Sequence, residues 1–294
     1  MCLTYSLFKT KVSNEDQEEG KGPFPAVLQQ YVSKPKLFLQ TKRKFDIRIY
    51  VVVFDLEPLT AYIYNEGLVR ICSIQYEQPN DANRKIPHIH LTNSKINPST
   101  DSTKFACEDS KLPMANKENQ GEKQKNKFLL SEWLSCSDIE VKSFWTQVHK
   151  SVAATLMSIQ PACTLMYNTC FPRSDRQQNS LSRSFQILGF DFIPDTSNKI
   201  WLLEVNNNPS LNLDTLVDKQ IKMPLLASLF DKLSSGPEHV NNTSFRAVKF
   251  DKGLSDDCKL VRMIYMHLCG MFWAPPEFLL QMLVQKSPNI FFCS

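Results

Sequence analysis

Lys42 to Phe54 reads KRKFDIRIYVVVF. Its β-branched density, and charges at alternate positions in its first half, predict a strand. Alternate side chains of a strand share a face, so Lys44, Asp46 and Arg48 point one way. Phe45, Ile47 and Ile49 point the other way, into a core. Three charges on one face of a central strand are costly unless they meet a ligand or one another. Taken alone, an edge strand with a solvated charged face is the plainer account.

Outward from this strand, Glu57-Pro58 breaks the pattern, and LTAYIYNEGLVRICSI predicts a second strand, a turn at Asn65-Glu66-Gly67 and a third strand. HIHLTN (88–93) predicts a short strand that would set His88 and His90 on one face, more in keeping with packing or phosphate proximity than with a metal site. Residues 26–32 predict a short strand entering a connection, and residues 9–22 are polar and charged. The stretch 97–127 is almost devoid of apolar residues and predicts a mobile loop. From Leu130 to Gln160 apolar residues fall at i, i+3, i+4, so one long helix or a helix pair is expected, ending at Pro161. Ser184–Ile193 and Lys199–Val205 predict two strands joined by a turn over Pro194–Asn198.

Composition limits the function. The 294 residues are 42% apolar and 22% charged, an ordinary globular balance. Only 8 residues are glycine, and no GxGxxG or GxxxxGK[ST] can be written with them. A Rossmann dinucleotide fold and a P-loop are thereby excluded, because both need glycine where backbone closes on phosphate. A net charge of +4 is too small to argue for nucleic acid. Nine scattered cysteines without a CxxC suggest reduced thiols in a cytoplasmic protein. No secretory signal is evident, and the most apolar stretch, Met263 to Val284, is interrupted by His267, Pro275, Pro276 and Glu277, so no membrane partner is expected.

A second constellation carries more chemistry. Gly189-Phe190-Asp191-Phe192 is followed, one tight turn on, by Trp201-Leu202-Leu203-Glu204-Val205-Asn206. Glu204 and Asn206 share a strand face, and Asp191 lies on the neighbouring strand, about 5 Å away if paired. Two carboxylates and an amide form a hard oxygen site suited to Mg²⁺ holding a nucleotide's phosphates. A hairpin with exposed acids is the plainer alternative, weakened by the apolar residues flanking both acids.

Taken together, QQYV (29–32), KFDIRIYVVV (44–53), YNEGLVR (64–70), HLTN (90–93), LGFDF (188–192) and WLLEVNNNPSL (201–211) resemble, in order and spacing, the tubulin tyrosine ligase-like proteins, ATP-grasp ligases that join an amino acid to a carboxylate. The resemblance covers about Gln29 to Leu211. It implies an α+β, ATP-grasp-like fold, a mostly antiparallel sheet with packed helices. The implied organisation is a flexible segment 1–23, a partial catalytic domain 24–213 and a helical, then irregular tail 214–294. By position, Gln29, Gln30, Tyr31 and Val32 match the hinge along the adenine. Lys44, Asp46, Thr92 and Asn93 match ATP contacts. Arg48 and Arg70 match the catalytic positions at the phosphate end and at the carboxylate of the incoming amino acid. Asp191, Glu204 and Asn206 match the Mg²⁺ ligands.

The implied activity is ATP- and Mg²⁺-dependent addition of an amino acid, glutamate, to glutamate side chains of tubulin through an acyl phosphate. The implied surroundings are microtubules, with cilium and basal body among them. Two departures stand out. Ser94-Lys95 replaces the family's usual Tyr-Ser after HLTN, which bears on the amino-acid pocket. The strand pair with a glycine-bearing loop and a lysine that precedes the hinge in the family has only about twenty-five residues to form from, so that part of the fold is expected to be missing. The alternatives are a non-catalytic nucleotide-binding or interaction module, and a ligase for glycine or for a protein other than tubulin.

Overall fold

The structure, a computed structural model, describes residues 4–9, 25–38, 41–93, 96–97, 126–170, 185–235 and 244–250. Its elements in chain order are β1 (Thr4–Lys9), β2 (Pro25–Gln29), β3 (Leu37–Phe38), β4 (Arg43–Leu56), β5 (Leu59–Gln75), α1 (Pro87–His90), β6 (Lys127–Leu129), α2 (Leu130–Cys136), α3 (Val141–Cys170), β7 (Gln186–Pro194), β8 (Ile200–Asn206), α4 (Leu216–Ser235) and β9 (Phe245–Ala247).

The main sheet runs β6-β5-β4-β7-β8, with β3 on β4 and β9 on β5, and every pairing is antiparallel. The α+β, mostly antiparallel arrangement expected from the sequence is the one observed. β4 is central, so its charged face is no solvated edge: Phe45, Ile47, Ile49 and Val51 have no exposed surface, and Asp46 is also buried. The apolar face of β4 packs with Trp133 and Leu134 of α2 and with Phe144, Val148, Val152 and Leu156 of α3. On the opposite face Tyr50, Val52 and Phe54 pack under Ile221, Leu225 and Leu229 of α4. Lys44, Asp46 and Arg48 precede these residues on that same face, so helix covers one end of it and the charged end is left for chemistry.

Several local expectations change. The turn at Asn65-Glu66-Gly67 does not form; β5 is one strand through it. The pairing partner on β5 instead jumps from Gly67, opposite Ile49, to Ile63, opposite Val51, so the extra residues are absorbed as a bulge. HIHLTN is not a strand: Pro87 opens the helical turn α1, as proline does at a first helical position, Leu91 is extended, and residues 91–93 belong to no strand. Pro161 lies inside α3, which continues to Cys170. Proline removes one helical hydrogen bond, and here the preceding residues are already held by core packing and by Gln160 Nε2 donating to Leu56 O at 2.7 Å.

Thr4–Lys9, within the segment 1–23, pairs antiparallel with Pro25–Gln29. The connecting residues 10–24, almost all of the loop 97–127 and the tail from 251 lie outside the described residues.

Gly67 has little room for a side chain. A Cβ there would lie 2.8 Å from Arg48 O and 2.8 Å from Ile49 Cδ1. Gly67→Ala is expected to lower stability by about 1–3 kcal/mol, read as a reduced urea midpoint with an unchanged slope. A midpoint equal to the wild type would show that β4 and β5 are less closely apposed than described.

Candidate functional site

Strand register places the charged side chains. Across β4 and β5, Asp46 is opposite Arg70; across β4 and β7, Arg48 is opposite Asp191; across β7 and β8, Asp191 is opposite Glu204 and Gly189 is opposite Asn206. Directly opposed residues share a face. The side chains form one continuous ladder. Arg70 Nε donates to Asp46 Oδ1 at 2.7 Å, and its Nη2 reaches both Asp46 Oδ2 and, at 2.9 Å, Asp191 Oδ2. Arg48 grips Asp191 with Nε on one oxygen and Nη2 on the other at 2.7 Å. Asn206 Nδ2 donates to Asp191 Oδ2 at 3.3 Å and to Glu204 Oε1 at 3.0 Å.

The ladder sets the protonation of its members. Burial tends to raise the Asp191 carboxyl, but the hydrogen bonds from Arg48 and the charges of Arg70 and Arg48 outweigh it and hold it below the usual carboxylate range. Glu204 goes the other way: burial, then the adjacent Asp191, raise it against the Asn206 hydrogen bond. Burial opposes the charge of Arg70, and Asp46 and Asp191 more than restore it.

Glycine 189 keeps this arrangement possible. A Cβ there would come within 3.0 Å of Arg48 Cδ and 3.0 Å of Pro209 Cβ, so the bare backbone leaves room for the Arg48 side chain.

Of the candidates in the stretch after β2, Tyr31 meets Lys44. Its Nζ donates to His90 O at 2.9 Å and to Tyr31 Oη at 3.2 Å and lies 4.3 Å from the Tyr31 ring centroid. Tyr31 Oη also meets His90 Nδ1 at 3.0 Å. Burial pushes the Lys44 ammonium down to about 8, and Tyr31 is pushed up by burial. Thr92 Oγ1 donates to Asp46 Oδ2 at 2.6 Å, tying the segment after α1 to the ladder. Behind it, the Asn93 carbonyl accepts from Ile96 N and Asn97 N, each at 3.0 Å. Buried Asn97 in turn accepts from Ser73 N at 2.9 Å. Gln29 Nε2 donates to Leu203 O at 3.0 Å, next to Glu204. Gln30, exposed, and Val32, half-buried, lie on the stretch after β2. The structure therefore unites Tyr31, Lys44, Asp46, Arg48, Arg70, Thr92, Asp191, Glu204 and Asn206 on one side of the sheet.

The donor set fits a hard divalent cation. Among the described residues no three of His, Cys, Asp and Glu converge, and the candidate set is two carboxylates and an amide, all oxygen-bearing. The Asn206 amide nitrogen stands where Asp191 and Glu204 meet, the place a cation would relieve their mutual repulsion. The two carboxylates could hold it, with Asn206 turning its oxygen inward.

The sequence reading missed Lys127, Thr215, Asp218 and Lys222. Lys127 is opposite Arg70 on β6, and its Nζ lies 2.8 Å from Asp218 Oδ2. Thr215 and Asp218 cap α4 reciprocally: Thr215 N donates to Asp218 Oδ2 at 3.1 Å and Asp218 N to Thr215 Oγ1 at 3.1 Å. The T-x-x-D spacing before an apolar run was a readable signal for that cap. Nothing local signals that Lys127 faces Arg70, because over fifty residues separate them.

Comparison with known proteins shows what the chain is similar to. The chain is 33% identical over 208 residues to a tubulin polyglutamylase TTLL7 of Xenopus tropicalis, covering 71% of this chain and 21% of that protein. It is 34% identical over 225 residues to a tubulin polyglutamylase ttll6 of Danio rerio, covering 76% and 26%. It is 36% identical over 200 residues to the human tubulin polyglutamylase TTLL6, covering 68% and 20%. The chain thus matches between a fifth and about a quarter of the length of these relatives. The tubulin-tyrosine ligase family matches residues 12–243, which span the whole ladder from Lys44 to Asn206 and the helix α4 that roofs the far end of the same face. With an α+β fold of the ATP-grasp-like kind, the chain belongs to the tubulin-tyrosine ligase family.

Proposed function

We propose that this chain is an ATP- and Mg²⁺-dependent carboxylate–amine ligase that adds glutamate to glutamate side chains of tubulin, acting at microtubules. The observation that carries the reading is the ladder Arg70–Asp46, Arg48–Asp191, Glu204–Asn206 on one sheet face. A site for phosphoryl transfer from a nucleotide needs fixed cations where phosphate charge develops and carboxylates to hold a dication, and these stand side by side here. The names of the relatives favour tubulin as acceptor and glutamate as the added residue.

The residues divide the work. Lys44, buried beside Tyr31 and the His90 carbonyl, would meet phosphate oxygens from the adenine side. Asp191, Glu204 and Asn206 would hold Mg²⁺, which when bound neutralises phosphate charge. Arg48 and Arg70, held in place by Asp191 and Asp46, face the reacting end and stabilise charge as it builds. The acceptor carboxylate takes the terminal phosphoryl group and ADP leaves. The amine of the incoming amino acid then attacks the acyl carbon, phosphate departs, and the amine proton passes to solvent. The protein supplies no covalent nucleophile; it orients and neutralises.

The reading is tested by supplying tubulin, ATP and Mg²⁺ with labelled glutamate in one arm and labelled glycine in the other. Glutamate incorporation supports it, glycine incorporation alone changes the amino acid, and incorporation of neither overturns it.

Lys44 also gives a pH prediction. Its ammonium loses its proton near pH 8, so above that value the site has one positive charge fewer. Affinity for Mg–ATP is expected to fall as pH rises through about 8, and Lys44→Arg to flatten the profile because guanidinium stays protonated. Calorimetry on either side of that pH checks it; a flat wild-type profile would remove Lys44 from the phosphate contacts.

A further inference from the structure

Among the described residues, the buried charges around α4 do not balance. Asp218 has no exposed surface and pairs with two ammonium groups, Lys127 Nζ on Oδ2 at 2.8 Å and Lys222 Nζ on Oδ1 at 2.7 Å. The Lys222 side chain is 5% exposed, and that lysine also donates to Asn212 O at 2.6 Å, so both of these contacts lie at the start of α4. Among the described residues Asp218 is the only carboxylate within ion-pair distance of either lysine. One carboxylate against two ammoniums leaves a net positive charge in a poorly solvated place, an arrangement that is costly without an anion.

Lys127 is the member that can meet one. Its side chain keeps 16% exposure, and it lies on β6 directly opposite Arg70 of β5, so the two cations share the site face. Arg70 turns its guanidinium towards Asp46 and Asp191, away from the cation excess, whereas Lys127 is held from behind by Asp218. Lys127 is also distant from the candidate metal ligands. β6 and β7 are three strand spacings apart, roughly 14 Å, so phosphates held at Asp191 and Glu204 are not its natural ligand.

The geometry points to Lys127 as a specificity-determining residue that, beside Arg70, binds a carboxylate of the second substrate. This rests on the ligase reading for the identity of that substrate. The carboxylate belongs either to the free amino acid or to the acidic acceptor segment. In both cases Lys127 selects an acidic ligand, and Asp218 and Lys222 form the scaffold that holds its ammonium in place.

Calorimetry on the whole chain tests this with three probes: glutamate, a synthetic glutamate-rich peptide, and Mg²⁺ with a non-hydrolysable ATP analogue. Lys127→Met is expected to weaken one carboxylate probe by about tenfold or more while the nucleotide changes by less than about twofold, and Lys127→Arg to restore most of the loss. The probe that weakens identifies the source of the carboxylate. A urea midpoint for Lys127→Met guards against misfolding, and Lys127→Gln, which removes the charge but keeps a polar group beside Asp218, carries the test if the methionine variant does not fold. The inference is overturned if wild-type protein binds neither carboxylate probe, if both are unchanged in the charge-removing variant, if charge-retaining Lys127→Arg binds as poorly as that variant, or if nucleotide affinity falls in parallel. Carboxylate binding that depends on Lys127 in a chain that does not bind nucleotide would overturn the ligase reading and leave this inference standing.

Discussion

Glu204→Gln is expected to reduce glutamate incorporation by about 10²–10³-fold, and to do so without unfolding the protein. The substitution keeps shape and removes one negative charge from the pair opposite Asp191. Asn206 can still donate to the amide oxygen, so the contact now made at 3.0 Å survives in the variant. What is lost is the second carboxylate, and with it most of the attraction for a divalent cation. Glu204 lies at the sheet edge, partly exposed, and its carboxyl is already raised by partial burial and by Asp191, so neutralising it relieves repulsion in the free protein. Thermal stability should therefore stay the same or rise slightly. Two measurements together decide the matter: Mn²⁺ binding followed by spin resonance, and labelled glutamate incorporation into tubulin. Incorporation at the wild-type level would remove Glu204 from the metal set.

Arg70→Ala has the second large effect, and it falls on the fold as well as on the chemistry. Arg70 neutralises two buried carboxylates at once, Asp46 and Asp191. Removing it leaves Asp46 with Thr92 as its remaining side-chain donor, and leaves Asp191 dependent on Arg48 and Asn206. Breaking a buried ion pair from one side costs about 3–5 kcal/mol, because the remaining charge stays desolvated. A midpoint reduced by that amount in urea is the expected result, and the double change Arg70→Ala with Asp46→Ala should recover part of it. If the double variant is no more stable than the single one, the two residues are not coupled as described.

The pH dependence of the same cluster has a definite sign. The folded-state carboxyl of Asp191 lies below its ordinary value, so its contribution is complete above the usual carboxylate range and is lost as pH falls through the lower folded value.

The central strand was legible because its pattern is local. KFDIRIYVVV carries a period of two and β-branched residues, and both properties act within the segment itself. The β7–β8 hairpin was legible for the same reason, since Asp195 accepts from Ser197 N at 2.8 Å and Lys199 N at 3.1 Å within its own turn. The misread elements are those in which a distant contact overrode a local signal. Asn-Glu-Gly looks like a turn, but Glu66 Oε1 accepts from Gly67 N at 2.9 Å and from Ser131 N at 3.0 Å, and pairing with β4 holds the segment extended. Pro161 looks like a stop, yet α3 continues through it to Cys170, its preceding turns held by Val148, Val152 and Leu156 in the core and by Gln160 Nε2 on Leu56 O.

By itself the sequence determined the α+β class, the charged face of β4, the acid pair of β7 and β8, and the family to which these motifs point. The charged face and the acid pair follow from residues a few positions apart, whose geometry the backbone period sets, whereas the α+β class is what the resemblance in motif order and spacing from Gln29 to Leu211 implies. Tertiary structure alone decided that β4 is central and its charges buried, that Arg70 bridges Asp46 and Asp191, and that Lys127 stands beside Arg70 on the cation-rich side. Those contacts join strands far apart in the chain. Their register is set by the packing of both sheet faces against helices, and a local pattern cannot encode it.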